Sequence, residues 1–122
     1  MNTINEIRGL IADKNFEKAF EILEIHISNG STNPIIYVLK GNLIQVSDID
    51  NYELDECEAL YKKAIELDNE FIDGYVELGA YYHSIKNDSR KGLPFFIRAF
   101  ELSNRKNEEV LKLIESAIED LA

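Results

Sequence analysis

The chain of 122 residues has no tryptophan, a single cysteine, two prolines and six glycines. One cysteine cannot close an internal disulfide, so the fold has no covalent cross-link, and a reducing compartment suits it. So few prolines and glycines rule out collagen-like or low-complexity architecture. No apolar run approaches the roughly 18 residues of a membrane span. The Met1-Asn2-Thr3-Ile4 start lacks the basic and apolar regions of a secretion signal, which makes a cytoplasmic location the expectation. Bases are scarce as well: 13 Lys and Arg stand against 23 Asp and Glu, for a net charge of −10. Nucleic acids and anionic membranes are bound through basic surface, so neither is an expected partner.

What remains is ordinary globular material, 45% apolar and 30% charged. That amount suits one domain over residues 1–122, with little room for an enzyme's internal cleft. The charge is unevenly spread. Residues 1–47 carry five acids and four bases, residues 48–77 carry eleven acids and two bases, and residues 78–122 carry seven of each. Nearly all the excess therefore lies in thirty residues, where it either favours a basic protein or simply maintains solubility.

The chain also repeats itself. Tyr75-Val76-Glu77-Leu78-Gly79-Ala80-Tyr81-Tyr82 is followed by Gly92-x3-Phe96-x2-Ala99. Tyr37-x3-Gly41 precedes Tyr75-x3-Gly79 by 38 residues, and Cys57-x3-Tyr61-x2-Ala64 precedes Gly92-x3-Phe96-x2-Ala99 by 35. A fainter copy, Ala19-x3-Leu23, lies 38 residues before Cys57. Self-similarity at this period combined with helical periodicity indicates stacked helix–turn–helix units. The small residues mark close approach of helix axes, and the aromatics and leucines between them fill the gaps between hairpins. On these residues the chain resembles the tetratricopeptide-repeat family, with Tyr75, Leu78, Gly79 and Tyr82 matching its first helix and Tyr75 standing where tryptophan is usual. In the preceding unit Tyr37 and Gly41 match, while Lys40 and Ile44 depart from the pattern. The resemblance implies a protein-binding scaffold with a concave face and no common chemistry.

The expected fold is therefore all-α: a right-handed α-solenoid of three helix–turn–helix repeats, at about 2–30, 33–69 and 71–103, plus a C-terminal capping helix at about 105–121. The first helix runs from about Asn2 to Asp13, with Thr3 and Glu6 at capping-box spacing. Asn15 is the expected cap of the second, which carries the stripe Phe16, Ala19, Phe20, Leu23, Ile27. Asn33-Pro34 starts the third, since asparagine caps and proline fits the first helical position. Residues 47–55 form an acidic loop that lengthens this hairpin by three residues relative to its copy. The fourth helix covers about 55–67 and the fifth about 71–85. The sixth ends near Ser103, and Pro94 inside it implies a late start or a bend. The last helix begins near Glu108, capped by Asn104 or Asn107, and covers the open edge of the stack.

Candidate chemistry is sparse. His26 and His83 lie on different helices without metal-ligand spacing, and both read as structural. Asp48-x-Asp50-Asn51 lacks the glycine and distal glutamate of a calcium loop. Cys57 occupies a small-residue slot and reads as packing. No nucleophile motif or phosphate-binding glycine loop is present, so no catalytic residue, metal or cofactor is expected.

Binding is the remaining task. In this architecture the first helix of each unit lines the concave surface, which presents Asp73, Glu77, Ala80 and Ser84 from the fifth helix. The positions 38 residues earlier are Ile35, Leu39, Asn42 and Val46: Asn42 is placed to hydrogen-bond an extended backbone, and Ile35, Leu39 and Val46 either add an apolar stripe to that face or pack on the first helix. Family members that hold chaperone C-terminal carboxylates do so with a Lys-Gly-Tyr-x-Arg run. Here the run is Asp73-Gly74-Tyr75-Val76-Glu77, with both signs inverted. The expected ligand is accordingly a protein or peptide with a basic surface, with Asp48 and Asp50 in the acidic loop aiding encounter. The rival expectation is a small acidic immunity or inhibitor protein that neutralises a basic toxin such as a nuclease. A structural subunit assembling through Leu and Tyr faces is a second rival.

Overall fold

A computed structural model of the chain describes residues 3–47, 49 and 51–122. The described residues form seven α-helices: α1 (Thr3–Ala12), α2 (Phe16–Ser28), α3 (Pro34–Val46), α4 (Glu56–Leu67), α5 (Ile72–Ala80), α6 (Ser89–Leu102) and α7 (Glu108–Leu121). A one-turn π-helix, Tyr81–Ile85, continues α5. The chain divides into two compact units, Met1–Leu67 and Asp68–Ala122.

In the first unit α2 packs on α1 and α3, and α3 packs on α4. The stripe on α2 is realised: Ala19, Phe20 and Leu23 are buried. Asn15 does occupy the N-cap position, but its side chain makes no capping hydrogen bond. Asn33 does cap α3, its Oδ1 accepting from the Ile35 amide at 3.1 Å, with Pro34 at the first helical position. Helix α3 is apolar nearly all round, burying Ile36, Tyr37, Val38, Leu39, Leu43 and Ile44, as a helix with neighbours on two sides must. The approach of α4 to α3 is set at Gly41, where a Cβ would stand 2.6 Å from Cε1 of Tyr61. Cys57 is fully buried, and its Sγ donates to the Gly41 carbonyl at 3.3 Å.

The second unit repeats the device. A Cβ on Gly79 would stand 2.7 Å from Phe96 Cδ1, and one on Gly92 would stand 2.7 Å from the Gly79 carbonyl oxygen. Here α6 packs on α5 and the π segment on one side and on α7 on the other. The tyrosines that open the repeated motif also share a hydrogen bond: Tyr37 donates to the Ser31 carbonyl and Tyr75 to the Asn69 carbonyl, both at 2.8 Å. Each ties its own helix, α3 or α5, to the turn that precedes it.

Two departures from the sequence reading concern helix regularity. Helix α5 ends at Ala80, and the π segment takes over with the Lys86 amide bonding the Tyr81 carbonyl five residues back. Helix α6 starts at Ser89 with Asp88 as its cap and continues through Pro94. Proline there removes one i→i−4 bond; Pro94 is exposed, on the outer side of the helix. At the last helix the cap is Asn107, whose Oδ1 accepts from the amides of Glu109 and Val110.

Candidate functional site

Asp73 lies in the first turn of α5 and is exposed. Glu77 follows one turn later on the same face and is half-buried. Burial, reinforced by the nearby Asp73 charge, pushes its carboxyl above the usual glutamate range. Ala80 ends α5 on that face. Ser84 is exposed in the π segment, where each residue turns through less than the ~100° of an α-helix, so it lags the position regular geometry would give.

The residues expected on α3 belong to the first unit, and their environments differ. Leu39 is 8% exposed and takes part in the core. Asn42 is half-buried and already engaged: its Oδ1 accepts from the Tyr61 hydroxyl at 2.6 Å, and that hydroxyl in turn accepts from Gln45 Nε2. Val46 is 60% exposed at the end of the helix. Asp48 and Asp50 lie outside the described residues.

The rest of the acidic loop folds back on α2. Tyr52 stacks on Phe20 with ring centroids 4.3 Å apart, and its hydroxyl donates to Glu24 Oε1 at 3.4 Å. Lys40 pairs with the same Glu24 and lies 5.0 Å from the Tyr52 ring centre. Burial first, then the Glu24 charge, raises the Tyr52 hydroxyl pKa. A shallow cavity of about 230 Å³ remains beside this stack, bordered by Glu17, Glu21 and Glu24. Sequence reading placed the loop on the surface and missed the Tyr52 anchor, because nothing local links Tyr52 to a phenylalanine 32 residues earlier.

A second cluster ties α7 to the unit that carries Asp73. The Ser89 hydroxyl donates to Asp120 Oδ2 at 2.9 Å and lies 2.7 Å from His83 Nδ1. With its one proton committed to Asp120, Ser89 must accept from Nδ1, leaving His83 Nε2 to meet Ser116 Oγ at 3.2 Å. In a Ser–His–Asp nucleophile the serine proton goes to the imidazole; here the Ser89 hydroxyl donates to the carboxylate, and the bonds clasp the π segment and the start of α6 to α7. Cys57 offers no nucleophile either: burial raises its thiol pKa to about 11, so it is protonated at neutral pH. Among the described residues no helix is long and apolar enough to cross a membrane.

The paired helices, with one glycine–aromatic contact of the same kind inside each unit, define a tetratricopeptide-like all-α repeat fold. A solved structure described as the first TPR of Spaghetti (RPAP3) bound to the HSP90 peptide SRMEEVD matches with a TM-score of 0.80, covering 96% of this chain and 90% of that one. The sequences are 13% identical, so the likeness is one of fold. No protein-family model and no curated protein matches the sequence.

Proposed function

We propose that the chain is a protein-interaction module that binds a basic, partly apolar segment of another protein through Asp73 and Glu77 on α5. The observation that carries this reading is the half-buried Glu77 carboxylate held beside Asp73: two like charges with one partly desolvated are relieved by a cation. The same-fold structure is bound to SRMEEVD, whose side chains carry three acids and one base. Asp73 and Glu77 stand where the family's carboxylate-holding Lys-Gly-Tyr-x-Arg run has its two bases, and that inversion supports a ligand of opposite sign. Ala80 and the exposed Ser84 extend the face along the chain, and Leu39 and Asn42 belong to the equivalent helix of the preceding unit. Asp48 and Asp50 add to the acidic field that steers encounter. A small inhibitor of a basic toxin would use the same surface, and the identity of the cellular partner separates the two readings.

The test uses two fluorescent heptapeptides, one alternating lysine or arginine with apolar residues, the other SRMEEVD. The wild-type protein should bind the basic peptide, more weakly as salt rises, and ignore the acidic one. An Asp73→Lys/Glu77→Lys double variant, still helical by circular dichroism, should lose the basic peptide. Equal binding by both proteins at all salt concentrations, or preference for SRMEEVD, would sink the reading.

A further inference from the structure

After α5 the sign of the charge along the chain reverses. Residues 86–106 carry six bases and two acids, which leaves seven of the 13 bases and 21 of the 23 acids for the rest. Within α6 the bases face outward. Ser89, Gly92, Phe96 and Ala99 form its buried side, with Gly92 and Phe96 set against Gly79 of α5. At ~100° per residue, Arg90, Pro94, Ile97 and Arg98 fall within an arc of about 100° on the opposite side. All four are exposed, Ile97 by 42%. Neither arginine has an ion-pair partner among the described residues, in a chain where acids are plentiful. Asp88 is engaged as the helix cap, and Glu101, the one acid of α6, pairs with neither arginine.

These residues do not serve the helix that carries them. Arg90 stands in the first turn, where the macrodipole favours acids. Helix α6 has no acid there, whereas every other helix has one except α3, whose first turn is uncharged. Pro94 removes an intrahelical bond, and Ile97 leaves apolar surface in water. Residues that work against their own element are expected where a surface has another task. The face also restricts what can cover it. Arg90 and Arg98, eight residues apart, are separated by about 12 Å along the axis. The surface is convex and its amides are used within α6, so an extended peptide would find no backbone partner there, while a helix satisfies its own. A nucleic acid or a bilayer is much larger than this face and would also meet the acids behind the net charge of −10. A short acidic segment feels only charges within a screening length of about 10 Å.

We propose that the outer face of α6 is a docking surface for an acidic amphipathic helix of another protein. Two carboxylates seven or eight residues apart on that helix meet Arg90 and Arg98, and the apolar residues between them cover Pro94 and Ile97. The face lies on a different helix from Asp73 and Glu77 and takes the opposite charge, so it stands independently of the site on α5. One helix pair buries less than the ~1,200 Å² of a standard interface, so affinity is on the order of micromolar or weaker and sensitive to salt.

Fluorescence anisotropy of the full chain with a labelled, end-capped peptide of about 18 residues tests this. The peptide carries a leucine stripe flanked by glutamates at seven- and eight-residue spacings. The wild-type protein should bind it, more weakly as salt rises. Arg90→Glu/Arg98→Glu, still helical by circular dichroism, should bind it at least about tenfold more weakly and should bind the lysine-rich heptapeptide as the wild type does. Ile97→Ser should weaken the acidic helix about threefold. Lys18→Glu, which alters net charge as much as either arginine reversal but lies on α2, should leave it unchanged. SRMEEVD, too short to hold carboxylates two turns apart, should not displace it. A protein that takes the acidic helix but not the lysine-rich peptide supports this face and overturns only the site on α5. No binding, equal binding of a scrambled peptide, an equal loss in Lys18→Glu, preference for duplex DNA, or self-association of the 14.0 kDa chain that Arg98→Glu abolishes would each overturn the proposal.

Discussion

The two glycine–aromatic contacts are the same device with different chemistry at the ring's end. In the first unit the buried ring is Tyr61, whose hydroxyl is satisfied by Asn42 and Gln45. In the second it is Phe96, and the residues 38 positions after Asn42 and Gln45 are Ala80 and His83. Ring and polar partners have changed together: with no hydroxyl to satisfy, His83 packs edge-on to Phe96 at 5.9 Å and spends its nitrogens on serines. A hydroxyl added at Phe96 would be buried without a partner, so Phe96→Tyr should cost about 1–3 kcal/mol in urea unfolding. Adding Ala80→Asn should recover part of that loss; the same loss with and without the asparagine would disprove the pairing. Glu77 makes a second case. Its carboxyl is raised in the folded state, so between the ordinary glutamate pKa and the raised one the native protein holds the extra proton. Stability from this group is full below the unfolded pKa and is lost as pH rises through the folded one. Glu77→Gln should therefore stabilise the protein at neutral pH and flatten that part of the pH–stability profile.

At the scale of elements, the repeat register, the Asn33-Pro34 start and the limits of α4 and α7 were legible because periodicity and capping are local properties. The π segment was not. Tyr81-Tyr82-His83 continues the helical pattern of α5 without a break, and only the packing of that turn against α6 distinguishes the two geometries. The clasp was invisible for a related reason: Ser89 and Asp120 are 31 residues apart and neither belongs to a motif. His83 was read as structural, and its partners, Ser89 and Ser116, could not be named from the sequence. Of the residues proposed to bind, Asp73 lies exposed where helical spacing put it, whereas Leu39 lies in the core because α3 is covered on two sides. The clasp has a measurable consequence. Ser89 is 6% exposed, and Ser89→Ala removes the hydroxyl that bridges π segment and α7. The expected cost is about 1–2 kcal/mol, with faster amide exchange in the second half of α7 and unchanged exchange in α2 and α3. Asp120→Ala should give a similar loss, and the double variant less than the sum, because both break one chain of bonds.

For the molecule as a whole, the governing fact is that a −10 protein keeps eleven acids and only two bases within residues 48–77. Like charges packed this closely repel one another, and the folded state bears more of that repulsion than the extended chain does. Salt shortens the screening length from about 10 Å at 0.1 M to about 3 Å at 1 M, so added salt should raise the melting temperature of the free protein. The proposed basic ligand at Asp73 and Glu77 would relieve the same repulsion and stabilise in proportion to its affinity, which salt weakens. The two effects have opposite salt slopes: the free protein's melting temperature should climb with sodium chloride while the increment added by a lysine-rich peptide shrinks. Differential scanning fluorimetry with and without peptide measures both at once. An increment that holds steady as salt rises would mean that apolar contact drives binding, and that the acids of residues 48–77 serve solubility alone.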